Sequence, residues 1–324
     1  MAIIGFGFMG VAHAKNILAS DKLELCGIID NRDCDIFSGI TQTGNHGELD
    51  LPIEQLRQIP VYKTLAQCIA KENLDAVCIC VPLFLHYEMA KQALELGLDV
   101  LLEKPFCPSV EQCKELIDLA HHKKKILMVA HCLRFSPAVK FLGDCIRDKR
   151  FGSLKTLSTT RIGGMPTWGV WKDPDVRKTC GGGLWDLLIH DIDFINHQIG
   201  IPDEMTVNLN VDDYWELSFE KDCATVSIKG GFLHPNAVFS AEYFATFEHA
   251  SLQYNTSDPD HLYISTCDGL EKREEMKGDD YHAELDYFAH CIHQRAIPTK
   301  CLPQEAMRAI EICTLIPFTI QTCA

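Results

Sequence analysis

Through the first 130 residues, short apolar runs alternate with segments whose apolar positions recur at helical spacing, and that alternation predicts a parallel β-sheet covered by helices. Strands are expected at residues 2–5, 25–30, 76–81, 99–102 and 126–130, and helices at 11–19, 65–71, 87–96 and 110–121. The last helix follows Pro108-Ser109, where the serine hydroxyl can accept a hydrogen bond from the first turn. Between residues 31 and 60 the periodicity lapses into Gly, Asn, Thr and Asp, which reads as a surface excursion with a short helix near 53–57. Past Ala130 the pattern changes to period-two stretches at 153–162, 205–212, 215–219, 224–230, 238–247 and 251–254. Joined by turn-like pieces such as Glu220-Lys221-Asp222, they predict a largely antiparallel sheet. Two helical patterns, 281–295 and 303–321, close the chain. The expected fold class is α/β: a doubly wound parallel sheet over residues 1–130, then an α+β domain with a largely antiparallel open sheet over 131–324, with a cleft between them.

Charge narrows the range of partners. With 30 Lys and Arg against 45 Asp and Glu, the net charge of −15 repels a phosphate backbone, so nucleic acid is not an expected partner. The one basic cluster, His121 to Lys125, sits at a predicted helix end, where cations favour the helix dipole. Sixteen cysteines are scattered without a CxxC pair, and Cys78 and Cys80 are expected to face opposite faces of the sheet. Buried reduced thiols of a cytoplasmic protein therefore fit better than bridges or a metal site. The opening stretch ends in an A-x-A like a signal peptide but lacks a basic start. Almost no strand precedes Gly5, so an origin slightly upstream is one reading of it. No apolar run reaches the roughly 18 residues of a membrane span, so no membrane association is expected.

The candidate chemistry begins at Gly5-Phe6-Gly7-Phe8-Met9-Gly10, which follows an apolar strand and opens a helix. In that context G-x-G-x-x-G reads as the dinucleotide fingerprint of a Rossmann domain: Gly5 for the tight turn, Gly7 for close approach of a pyrophosphate, Gly10 for packing of helix on strand. Asp30, at the end of the second strand and next to Asn31, is placed to accept the ribose hydroxyls, which favours NAD. Arg32 could offset the repulsion of a 2′-phosphate and so admit NADP. The third strand runs into Val81-Pro82 and, four residues after the proline, His86, at the carboxyl edge where open sheets bind ligands. His86 alone reads more readily as a histidine that starts a helix than as a catalyst. Glu103-Lys104-Pro105 ends the next strand at the same edge, where a lysine can donate to a substrate oxygen or shuttle a proton, although a Glu-Lys pair is often a solvated face. In the second half, Gly181-Gly182-Gly183 leads into a helix carrying Asp186 and His190 four residues apart on one face. A carboxylate beside an imidazole suits the handling of a hydroxyl proton; a helix salt link or a buried histidine is the plainer alternative. Asp191 and Asp193 lie on other faces, so metal ligation is not favoured.

Taken in order, these motifs make the chain resemble the glucose-fructose oxidoreductase, inositol dehydrogenase and rhizopine-catabolism (Gfo/Idh/MocA) family of oxidoreductases. The resemblance includes the glycine turn, the Glu103-Lys104-Pro105 motif, His131 followed by Arg134-Phe135 and Pro137, the glycine triplet before Asp186 and His190-Asp191, and Glu284 with Phe288 near the end. It implies a dinucleotide domain, an open sheet used for dimer or tetramer contacts, and reversible hydride transfer on a sugar, cyclitol or sugar nucleotide. It further implies Lys104, Asp186 and His190 as the catalytic group and Glu103 beside the nicotinamide ribose. His131, Arg134 and Trp168 or Trp171 would line the substrate cleft, the tryptophans reading equally well as packing aromatics. Two features depart from the pattern: the long 31–60 segment and Phe84 in the turn before His86.

The expected reaction is oxidation of a secondary ring alcohol, with His190 taking the hydroxyl proton, Lys104 steadying the alkoxide and Asp186 positioning both substrate and imidazole. Two alternatives stay open on the sequence. One is glycoside cleavage or rearrangement on tightly bound NAD with no net redox change, and the other is a non-enzymatic sugar or nucleotide sensor on the same fold.

Overall fold

The computed structural model describes residues 1–37, 43–44, 47–48, 51–167, 169–202, 205–266, 269–273 and 276–316. Two compact units emerge: Met1–Cys132 with Tyr281–Ile310, and Leu133–Asp280 with the remainder of the chain. The pattern predicts a contiguous division, whereas here the segment Tyr281–Ile310 groups with the first unit.

The first unit holds β1 (Ala2–Ile4), α1 (Phe8–Leu18), β2 (Gly27–Ile29), the two-residue strands β3 (Thr43–Gly44) and β4 (Gly47–Glu48), α2 (Ile53–Leu56), β5 (Val61–Tyr62) and α3 (Leu65–Ile69). It continues with β6 (Ala76–Ile79), α4 (His86–Glu95), β7 (Asp99–Glu103), α5 (Val110–Lys123) and β8 (Leu127–Ala130). Six strands pair in parallel in the order β5-β2-β1-β6-β7-β8, while β3 and β4 form a separate hairpin. Every residue of β1, β2, β6, β7 and β8 is buried, which is why these strands read as unbroken apolar runs. The chain leaves β1 toward β2 and later returns to the other side at β6, so the strand order reverses between β1 and β6. That reversal leaves a crevice at the carboxyl ends of the two strands. The excursion carries the expected short helix as α2, and residues 38–42, 45–46 and 49–50 lie outside the described set. Ser109 caps α5 as predicted, its Oγ accepting from Gln112 N at 3.3 Å.

Cys78 and Cys80 correct the sequence reading, since their sulfurs lie 3.6 Å apart. Side chains two residues apart on a strand point to the same face, so opposite faces was the wrong inference from the alternation. The returning helix α9 (Asp280–Gln294) buries Glu284 and Phe288, and its Asp286 pairs with Lys22 at 2.5 Å. Just beyond it, Arg295 bonds Asp99 at 2.7 Å and the Lys124 carbonyl at 2.7 Å, which ties the segment to β7 and the end of α5. The last helix is α10 (Pro303–Leu315), and residues 317–324, where the pattern extends it, lie outside the described set.

The second unit opens with α6 (Pro137–Arg147), which the sequence reading did not place, followed by β9 (Leu154–Gly164), α7 (Pro174–Thr179) and α8 (Ile189–Gln198). Then come β10 (Thr206–Val211), β11 (Tyr214–Lys221), β12 (Ala224–Leu233), β13 (Ser240–Phe247), β14 (Ala250–Asn255), β15 (Leu262–Thr266) and β16 (Gly269–Arg273). They form an eight-stranded sheet, β10-β11-β12-β9-β13-β14-β15-β16, antiparallel throughout except for the parallel β9–β12 pair. Alternate positions such as Leu157, Val226, Ile228, Ala245, Leu252 and Ile264 are buried, giving the sheet one apolar face. Tyr243 donates its hydroxyl to the Ala138 carbonyl of α6 at 2.8 Å. Arg161 of β9 reaches Asp191 of α8 through two bonds of 2.6 and 3.2 Å, both side chains being buried. Removing one partner strands a buried charge, so Arg161→Met is expected to cost about 3–5 kcal/mol in urea unfolding, and a loss below about 1 kcal/mol would contradict a structural role for the pair.

Candidate active site

In the first unit the site is the turn between β1 and α1. Gly5 has φ +90°, and a Cβ there would lie 2.7 Å from the Cys80 carbonyl oxygen. At Gly10 a Cβ would lie 2.1 Å from the Gly5 carbonyl oxygen, so only glycine lets the helix close on the turn. Gly7 differs from both: it is exposed, with ordinary negative φ, and a Cβ there meets nothing within 4 Å. The protein's own packing does not require its smallness. α1 starts immediately after it with no side-chain cap and no acidic residue in its first turn, an arrangement that leaves the helix N-terminus for an anion. Phe6 is buried, while Phe8 and Met9 are half-buried around this opening.

Asp30 follows β2 and is saturated. Its Oδ2 accepts from Phe6 N at 3.0 Å and Arg32 Nη2 at 2.8 Å, and its Oδ1 from Arg32 N at 3.0 Å and Arg32 Nε at 2.8 Å. Burial would raise its pKa, but the Arg32 guanidinium and the two amides outweigh burial and hold the carboxyl below its ordinary value. Four bonds fill the acceptor sites of a carboxylate, so ribose hydroxyls can reach Asp30 only if Arg32 swings away. Arg32 is half exposed, and its Nη2 also donates to the Phe6 carbonyl at 2.7 Å. Asn31, beside this pair, is exposed.

Along the carboxyl edge, Val81 and Pro82 are half-buried beyond β6. His86 is buried, with Nε2 at 2.9 Å from the Val81 carbonyl and Nδ1 at 2.8 Å from the Pro105 carbonyl. Burial holds the imidazole below its usual pKa against the pull of those carbonyls. Both ring nitrogens are turned to main-chain carbonyls, and the neutral ring can donate to one of them. Glu103 is buried at the end of β7, with Oε1 on His13 Nε2 at 2.7 Å and Oε2 accepting from Lys104 N at 3.1 Å. Burial opposes its ionisation, but His13 outweighs it and keeps Glu103 below the ordinary carboxylate range. His13 is lowered by burial and raised more strongly by Cys78 and Glu103, to about 10. Lys104 is half-buried and precedes a cis Pro105; His131 is buried at the end of β8.

In the second unit the glycine triplet has a packing role. Gly181 and Gly182 have positive φ, and Cβ atoms at these positions would strike Trp185 at 2.2 Å and Asp213 at 2.4 Å. A Cβ at Gly183 would come within 2.9 Å of Gly231 and Phe232 backbone in β12. The helix that follows begins as a π-turn over Leu184–Leu188 before α8, so the simple α-helical spacing behind the Asp186–His190 pairing does not hold there. Asp186 and His190 are the two half-buried positions in an otherwise buried stretch from Leu184 to His190.

Arg134, expected in the substrate cleft, makes two guanidinium bonds to Asp193, at 2.7 and 2.6 Å, with both side chains only 1% exposed. Trp171 is half-buried and its carbonyl accepts from Arg177 at 2.6 Å; Trp168 lies outside the described residues. Asp213, which the sequence reading missed, accepts from Gly183 N at 2.8 Å. Only the acidic Asp212-Asp213 turn between two period-two stretches signals it.

Residues 1–131 match a family model described as oxidoreductase family, NAD-binding Rossmann fold. The chain is similar to D-glucoside 3-dehydrogenase of Escherichia coli, 28% identical over 226 residues that cover 69% of this chain and 60% of the relative. It is also similar to an uncharacterised oxidoreductase of Synechocystis, 33% identical over 152 residues that cover 46% of this chain and 41% of the relative. In both cases the match spans less than two thirds of the relative. The fold is shared with UDP-N-acetylglucosamine 3-dehydrogenase of Acidithiobacillus ferrooxidans, at a TM-score of 0.76 and 20% identity over 98% of this chain and 96% of that one. A 3-ketoreductase of Actinomadura kijaniata, solved with TDP-benzene and NADP, matches at 0.77 and 17% over 99% and 96%.

Burial first, then Asp186 and Asp212, push Asp213 up to about 6 against the pull of the Gly183 amide and Arg177. The folded state therefore holds a proton that the unfolded chain releases near 3.8, and this group's contribution to stability falls as pH rises from about 4 to about 6. Asp213→Asn, which keeps the acceptor, is expected to remove that fall from urea unfolding measured across the window. An unchanged pH slope would contradict the assignment.

Proposed function

We propose that this chain, a member of the Gfo/Idh/MocA family of NAD-binding oxidoreductases, moves a hydride between a nicotinamide cofactor and a secondary ring alcohol of a sugar, cyclitol or sugar derivative. The observation that carries the cofactor half is the open space at Gly7, at the head of an uncapped helix whose flanking glycines are both consumed by packing. The turn fits a dinucleotide: the amides of Phe8, Met9 and Gly10 would face the pyrophosphate, and Asp30 or Arg32 the adenosine ribose. When bound, the nicotinamide would supply the hydride acceptor. The substrate half draws on relatives whose names are sugar and sugar-nucleotide dehydrogenases.

His190 takes the proton of the reacting hydroxyl, Lys104 donates to the same oxygen as negative charge develops, and Asp186 orients the imidazole and a neighbouring hydroxyl. Glu103 holds the Lys104 backbone amide and His13, and so fixes the end of β7 from which Lys104 projects. On this reading the unit that begins with Met1–Cys132 serves the cofactor and the unit that begins with Leu133–Asp280 the substrate. The sheet face carrying exposed Leu209 and Phe244 would serve a dimer or tetramer.

The test is reduction of NAD or NADP, followed by near-ultraviolet absorbance, over a panel of cyclitols, aldoses and sugar nucleotides. Wild type should reduce cofactor with at least one class, and Lys104→Ala and His190→Ala should each lower kcat about 10²–10⁴-fold. Cofactor reduction that survives both substitutions would contradict the assigned roles. Arg32 provides a second test, because it saturates Asp30 and its half-exposed guanidinium could face a 2′-phosphate. Arg32→Ala should shift the Kd ratio toward NAD by about tenfold or more, the worth of a charge-assisted bond, and an unchanged ratio would remove Arg32 from the cofactor site.

A further inference from the structure

The first unit contains a cluster that the hydride-transfer reading does not use in full. His13 lies on α1, Cys78 in β6 and Cys80 one residue past the end of β6. An imidazole nitrogen and the two sulfurs all lie within 4.8 Å of one another, with the sulfurs 3.6 Å apart. A tetrahedral zinc ion with bonds of about 2.3 Å to sulfur holds two thiolates about 3.8 Å apart, so the sulfur edge already has ligating length. The imidazole is also prepared. Its Nε2 is taken by Glu103 at 2.7 Å, while Nδ1 is fully buried and has no hydrogen-bond partner. A carboxylate on the far nitrogen is the arrangement that fixes the tautomer and orientation of a metal-bound histidine.

We propose that His13, Cys78 and Cys80 form a binding site for a thiophilic divalent cation, zinc, with Glu103 as the positioning carboxylate. Binding releases the two thiol protons and one proton of the His13 imidazolium to solvent, and the two thiolates neutralise the ion, so the bound cluster of ion, thiolates and imidazole is neutral. Three protein ligands leave the fourth position of the tetrahedron to a water or another small ligand. The site sits beneath the cofactor turn, because the Cys80 carbonyl is the atom on which Gly5 packs. Zinc would thus bind α1 to β6 directly below the glycines. The inference is independent of the substrate and of hydride transfer, since it uses neither Lys104, Asp186 nor His190.

The experiment loads the reduced full-length protein with Co²⁺, removes excess ion, and records thiolate-to-cobalt charge-transfer absorption and the d–d bands of a tetrahedral site, with zinc counted by elemental analysis after exchange. One ion per chain is expected, with the bands lost in Cys78→Ser/Cys80→Ser and retained in Cys34→Ser, which removes an exposed thiol elsewhere. Glu103→Gln should weaken binding about 10–100-fold, as removal of a positioning carboxylate does. Circular dichroism checks that each variant is folded. If the double variant is not, Cys80→Ala alone, at a half-buried position, should lower affinity at least about tenfold, as loss of one ligand requires. Absence of the bands in wild type, or their persistence in the cysteine variants, overturns the site.

Discussion

The close approach of α1 to the end of β1 is the constraint on which the candidate cofactor site depends. A helix can start three residues after a buried strand and pack back on the turn only where side chains are missing, and the structure shows which ones must be. Gly10 lies against the Gly5 carbonyl and Gly5 against the Cys80 carbonyl, so two of the three glycines are accounted for by internal packing. The third is not, and the open space in front of it is where the proposed dinucleotide would lie. A fold-level likeness alone would not distinguish these roles, because all three glycines belong to one motif.

Around that turn, charge is handled by saturation. Asp30 accepts four hydrogen bonds and Glu103 is bonded on both oxygens, so each carboxylate stays ionised although buried. Such groups are rigid, and rigidity is what a site needs when it must position a flexible dinucleotide. The same saturation makes Arg32 decisive, because the guanidinium that stabilises Asp30 in this state also stands between Asp30 and a ribose. In the second unit, Arg134–Asp193 and Arg161–Asp191 use the same device for structure, holding α8 from which His190 projects.

Much of the first unit was legible because each of its central strands is buried on both faces and bounded by turn residues. β5 escaped notice because Val61–Tyr62 is only two residues long and partly exposed at the sheet edge. β15 and β16 were missed for a related reason: Leu262–Thr266 has only two buried positions, and β16 pairs with β15 alone at the end of the sheet. The site residues were legible as types and less so as roles. His86 and Arg134 stand at the motif positions, yet their partners are main-chain carbonyls and a carboxylate 59 residues away, which spacing along the chain does not encode. Cys78 and Cys80 were misplaced by one step of the strand alternation, and the correction is what brings their sulfurs together.

The most direct test of the central claim is the Kd of reduced nicotinamide dinucleotide for Gly7→Val, measured by protein fluorescence beside the thermal midpoint of the same variant. A Cβ at Gly7 meets no protein atom, so the midpoint should stay at the wild-type value while affinity falls at least tenfold, about 1.4 kcal/mol. Unchanged affinity in a stably folded variant would contradict the account, because the space at Gly7 would then not be the place where the cofactor lies.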